Sequence, residues 1–205
     1  HFPDLCETQP ELLAHHYTEA GLMAQAVPYW QRAGQRAIER SANLEAVAHL
    51  TQGLELLVTL PDTPERAQQE LDLQTTLGPA LMFTKGQAAP EVLQAYARAR
   101  ALCQQMGETP QLFQVLRGVW LFYLMRMELR TAREIGEQLL TLAQQVGDPA
   151  LLLEAHYALG TPLNYLGEFT AAQAHFEHGI ALYDPQQHRA HAVRYGLDPG
   201  VMCRV

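Results

Sequence analysis

The chain has 205 residues and a net charge of −8, with 48% hydrophobic and 18% charged residues. That balance fits a folded protein rather than a disordered one, and the acidic surplus disfavours a nucleic-acid partner, because phosphate binding needs a basic surface. No apolar run approaches the ~18 residues of a membrane span, and Cys6, Cys103 and Cys203 are too scattered for a pairing scheme, which predicts free thiols and a cytoplasmic setting.

A leading helix is predicted over 10–21, followed by helices over 24–40 and 43–58 that form a first repeat, 24–58. Thr63-Pro64 then opens a helix over 64–84: the Thr side chain can accept from the first free amides, and Pro at the first helical position loses no bond. Pro79 inside that helix is expected to kink or end it near Gln74–Gly78. An enlarged turn over 85–89 leads to a helix over 89–106, closing a second repeat, 64–106. Thr109-Pro110 and Asp148-Pro149 open two further pairs, 110–127 with 129–146 and 149–166 with 168–183. They give repeats over 110–147 and 149–184, while 185–205 reads as a loop and the start of another repeat. No segment alternates at period two, so no sheet is predicted.

A pattern of small and large residues recurs within these pairs. In the fourth copy Leu159-Gly160, Leu163, Leu166-Gly167-Glu168-Phe169, Ala172, Phe176 and Gly179 follow the tetratricopeptide signature. Trp30, Ala33-Gly34, Ala37, Ala46, Leu50 and Gly53 fit the same template, and copies around Leu77-Gly78 and Trp120 fit it more loosely. The expected fold is all-α: one repeat domain built as a right-handed α-α superhelix, with Trp30, Leu50, Trp120, Phe169 and Phe176 buried. The chain begins His1-Phe2-Pro3 and stops at Val205 after an apparent loop, so it is expected to be a piece of a longer polypeptide.

Catalytic motifs are missing from the sequence: it has no GxSxG, no HExxH and no phosphate-cradling glycine loop, so no catalytic residue and no cofactor are predicted. His175 and His178 share a helix face at a spacing that can serve a metal, but a third ligand such as Glu177 or His156 would be needed. They are read as solvent-facing residues beside a buried Phe176, His188 and His191 as surface residues, and no metal is expected. The first helix of each pair should instead line a concave groove. Arg117 and Met125 from the third copy, with Glu154, Tyr157, Asn164 and Tyr165 from the fourth, are the candidate partner-binding residues. Aromatics and Arg suit recognition of a peptide or helix, although Tyr157 and Tyr165 are equally suited to packing between repeats.

Beyond the generic repeat, Glu11–Gly21, Tyr29–Ser41, Ala46–Leu57, Leu60–Arg66 and Tyr195–Gly200 resemble the C-terminal repeat region of bacterial multidomain signalling proteins. In that family a class III adenylate/guanylate cyclase domain and an AAA-type ATPase domain precede tetratricopeptide repeats. The resemblance implies a non-catalytic interaction module whose partners are a protein or peptide in the groove and neighbouring domains of the same polypeptide. It supplies no catalytic residue to carry over, since neither cyclase metal aspartates nor a Walker motif occur here. The alternative is the inducer- or partner-binding repeat region of an ATP-dependent transcription regulator.

Overall fold

In the computed structural model, residues 9–107, 110–184 and 199–204 are described. The helices are α1 (Pro10–Glu19), α2 (Met23–Glu39), α3 (Asn43–Val58), α4 (Pro64–Lys85), α5 (Pro90–Met106), α6 (Leu112–Met125), α7 (Leu129–Val146), α8 (Pro149–Tyr165), α9 (Phe169–Leu182) and the short α10 (Pro199–Met202). No strand occurs among the described residues, so the fold class is all-α. Cys6, His188, His191 and the segment 185–198, expected from the sequence to be a loop, lie outside the described residues. The chain divides into two compact units, His1–Val115 and Leu116–Val205.

In the first unit α1 to α5 pack successively, each on the next. Thr63 caps α4 as its sequence context predicts, accepting from Arg66 N–H at 3.2 Å. The core runs through Ala26, Val27, Ala37, Ala46, Leu50, Leu57, Leu71 and Leu73 to Val92, Ala99 and Leu102, all buried. Close helix approach rests on glycine: a Cβ on Gly34 would come within 2.5 Å of Leu50 Cγ, and one on Gly78 within 2.4 Å of the Tyr96 ring. Trp30 is only half-buried, with its indole N–H donating to Thr18 Oγ1 at 3.1 Å and its ring stacked on His49.

Pro79 does not end α4, which runs through it to Lys85. The proline removes one amide donor and crowds the preceding turn, which costs roughly 3 kcal/mol. Leu71, Leu73, Leu77, Ala80 and Leu81 are buried on both sides of it, and burial of roughly 1.5–3 kcal/mol per large side chain outweighs that penalty.

The second unit holds α7 packed on α8 and α8 on α9, with α10 touching both α8 and α9. Asp148 caps α8, its carboxylate accepting from Ala150 N–H at 2.8 Å. Leu159, Leu163 and Ala172 form a core cluster with Leu140 and Phe176 against it. Gly160 repeats the device of Gly34, since a Cβ there would sit 2.5 Å from the Phe176 ring. By position in the signature, Trp120 replaces the small residue of that pair and Gly136 the large one. Gly136 then meets α8 backbone directly, a Cβ being 3.0 Å from Ala158 O. Pro162, four residues on, has no N–H to offer that carbonyl in the helix.

Burial departs from expectation at several large residues. Leu50 and Trp120 are fully buried, whereas Phe176 is half-buried and Phe169 is 67% exposed. Phe169 opens α9 directly after the turn, at the end of the helix rather than along its packed length.

Four turns share one geometry: the one between α1 and α2 and those inside the α2–α3, α6–α7 and α8–α9 pairs. Gly21, Ser41, Met127 and Gly167 adopt positive φ, and the next residue's N–H reaches back five residues. Leu22 N–H donates to Tyr17 O at 2.9 Å, Ala42 to Ala37 O at 2.8 Å, Glu128 to Tyr123 O at 3.0 Å and Glu168 to Leu163 O at 3.0 Å. These are Schellman-type closures, made by backbone alone. Met127 is a side chain held at φ 58°, in the left-handed region that disfavours a Cβ by roughly 1–2 kcal/mol. Met127→Gly is therefore expected to raise unfolding free energy by about 0.5–1 kcal/mol, after the extra freedom of glycine in the unfolded chain is subtracted. Urea denaturation checks it, and a lower midpoint would mean that the Met side chain contributes packing.

Candidate interaction surface

All six residues predicted for partner binding lie in the second unit, and the structure separates them into two groups. Arg117 on α6 and Glu154 on α8 face each other across the helices. Arg117 Nε donates to Glu154 Oε2 at 3.3 Å, with side-chain exposures of 6% and 1%. The guanidinium also lies 4.4 Å over the Trp120 ring and 5.8 Å from that of Tyr157. Trp120 and Tyr157 meet edge to face at 5.7 Å. Tyr157 is itself buried, and burial raises its phenol pKa against the opposing influence of Arg117.

Arg117, Glu154 and Tyr157 are thus not open to a partner in this structure, which corrects their assignment to an accessible groove. The physical reason is pairing. A lone Arg or Glu would face water, because burying an unpaired charge is prohibitive, but each supplies the other's counter-charge and Trp120 and Tyr157 supply π faces. The signal was present in the sequence as opposite charges 37 residues apart, about one repeat. Trp120 Nε1 is buried with no hydrogen-bond partner, so the indole serves as packing and as a face for the cation.

Met125, Asn164 and Tyr165 form the second group, and all three are exposed. They stand at the C-terminal ends of α6 and α8, beside the turns that carry Met127, Leu166 and Phe169, which are exposed as well. A salt bridge from Arg133 Nη1 on α7 to Glu168 Oε1 at 2.9 Å ties α7 to the α8–α9 turn. Arg126 and Glu128 pair at 2.7 Å on the other turn. The result is a set of exposed apolar side chains flanked by the Arg126–Glu128 and Arg133–Glu168 ion pairs. It can contribute apolar contact, with Asn164 available for hydrogen bonding.

No known family model matches the chain. It is similar to an uncharacterised protein of Rhizobium meliloti (strain 1021), 25% identical over 193 residues. That alignment covers 93% of this chain and 18% of the relative, so the chain spans a minor part of that protein's length.

Of the two histidines read as solvent-facing, His178 is exposed as expected and His175 is not fully so. His175 is half-buried and bonds not to His178 but to His156 on α8, Nδ1 to Nδ1 at 3.0 Å. His178 is exposed and its Nδ1 sits 2.6 Å from Ala174 O. No group of three or more His, Cys, Asp or Glu among the described residues is arranged to hold a metal. Cys103 and Cys203 are free and buried. Burial pushes the Cys203 thiol up to about 12, with Glu154 adding to the effect, so it is a poor nucleophile at neutral pH. No helix among the described residues is long and apolar enough to cross a membrane. A cleft of about 470 Å³ in the first unit, lined by Asp62, Thr63, Gln68, Gln105 and Met106, lies among residues outside the predicted set.

Proposed function

We propose that the chain is a tetratricopeptide-like repeat segment that docks another protein surface, and that it has no catalytic activity of its own. The observation that carries this reading is recurrence: one backbone-closed turn geometry at the α1–α2, α2–α3, α6–α7 and α8–α9 turns, and a glycine opposite a large side chain at Gly34–Leu50, Gly78–Tyr96 and Gly160–Phe176. Stacked helix pairs of this kind offer extended surfaces for binding. Within the second unit the docking surface is the edge formed by Met125, Asn164, Tyr165 and Phe169. Its setting is a longer signalling protein with cyclase and ATPase domains, as the sequence resemblance implies; the much greater length of the Rhizobium relative is compatible with a segment of this kind.

The test compares full-length parent protein with its Met125→Ser/Tyr165→Ser variant in cross-linking and co-purification, with thermal melting measured on both. The variant is expected to keep its melting midpoint, because both side chains are exposed. It should weaken partner or interdomain contact by about 30-fold, the loss of a genuine anchor worth roughly 2 kcal/mol. Unchanged contact in the folded variant would remove this edge as the docking surface. Turnover of nucleotide by the purified segment would overturn the non-catalytic reading.

A further inference from the structure

The hydrogen bond between His156 and His175 joins two helices through imidazole alone. Their Nδ1 atoms are 3.0 Å apart and their ring centroids 5.3 Å apart. The centroid separation is about the nitrogen separation plus the two ring radii, so the nitrogens face each other head on. That is an in-line N–H···N bond, one ring donating and the other accepting, rather than the converging geometry of two ligands on one metal. The His178 ring stacks nearly parallel on His156, 5.1 Å between centroids and 11° between planes. Three rings therefore occupy one spot between α8 and α9.

We propose that this cluster is an acid-operated latch on the α8–α9 pair: the helices are held while His156 and His175 share a single proton between their Nδ1 atoms, and released when each carries its own. A first extra proton on an outer nitrogen leaves the shared bond intact. The second places an N–H on both facing nitrogens and two positive charges at hydrogen-bonding distance, with the His178 ring stacked alongside. Among the described residues, no carboxylate is among the charges that act on His156 or His175. On α9, Glu177 accepts from Gln173 Nε2 at 2.8 Å. On α8, Glu154 is engaged with Arg117. On α7, Arg133 is paired with Glu137 and Glu168, while Arg130 and Glu134 are exposed. On the α10 side, Cys203 lies against Gly179 near His156 Cβ, and Arg204 sits over the Tyr183 ring. The charges that act on His156 are those of His175 and His178.

Burial first, and then His175 and His178, lower His156 from 6.5 to about 4, and burial followed by His178 lowers His175. The unfolded ring takes its proton near 6.5 and the folded one near 4, so between these values the unfolded state holds more protons. Stability from the cluster is present above pH 6.5 and is lost as pH falls toward 4.

Urea midpoints of the full chain across that window, wild type against His156→Gln/His175→Gln, test the latch. The wild-type midpoint should fall with acid and the double variant should lose most of that fall, leaving the part due to carboxylates. Equal pH dependence in the two proteins overturns the proposal. Imidazole nitrogen NMR of the wild type decides the matter independently should the variant not fold. His156 and His175 should titrate together, below an ordinary histidine and in step with loosening of α9. Independent titration near pH 6.5 with no change in α9 would refute the latch.

Discussion

Glu154→Leu should lower the unfolding free energy of the second unit by about 3–5 kcal/mol, because it removes the carboxylate that pairs with the buried Arg117 guanidinium. The carboxylate is 1% exposed and the guanidinium 6%, so water cannot take the missing partner's place without opening the α6–α8 contact. Adding Arg117→Met should recover most of the loss. A thioether fills similar volume against the Trp120 and Tyr157 rings and carries no charge, and buried ion pairs exchanged whole for apolar residues are often neutral or better. The recovery should fall short by the cation–π term, on the order of 1–2 kcal/mol for a desolvated guanidinium over an indole. Equilibrium urea unfolding of the four proteins in the cycle gives the coupling energy directly. A single variant within about 1 kcal/mol of wild type would show that the pair is hydrated in solution, and that Arg117 and Glu154 can reach a partner after all.

Ala172→Arg should be at least as damaging. Ala172 is 1% exposed and belongs to the cluster with Leu159 and Leu163, between α9 and α8. Overpacking typically costs ~1–3 kcal/mol, and an unpaired charge in an apolar seam adds several more. Ala172→Leu separates the two contributions, since it adds volume without charge. The expected order of melting midpoints is wild type, then Leu, then Arg, with the Arg variant losing α9 helicity by circular dichroism. Midpoints equal to wild type would mean that the signature is out of register in this copy.

The elements were legible because the sequence marks them chemically. Thr63-Pro64 and Asp148-Pro149 are caps followed by a proline at the first helical turn, and both helices begin at that proline. The small–large pairs were legible for the same reason: glycine opposite Leu50 or Phe176 is a packing requirement that leaves few alternatives. The candidate site was less so. Counting positions along a helix assigns a face, and Arg117, Glu154 and Tyr157 do share one. Whether that face is open depends on what stands across from it, which is a property of pairs of residues far apart in sequence. The same limit hid the His156–His175 bond, since spacing on one helix favours His175 with His178. Phe169 misled for a simpler reason, because its place in the signature is interior while its place in the turn is the outer end of a helix.

The turns within the helix pairs carry a consequence for how such a chain varies. Because Leu22, Ala42, Glu128 and Glu168 close their turns through main-chain atoms, almost any side chain can follow the left-handed residue, and even that residue is a serine or a methionine in two of the four cases. The information that specifies each hairpin is therefore concentrated in a few contacts between its helices and nearly absent from its corner. Apart from the left-handed position itself, where a Cβ costs roughly 1–2 kcal/mol, substitutions can accumulate at the corners with little penalty, so exposed apolar side chains such as Leu166 and Phe169 are free to be chosen by what binds there rather than by what folds there.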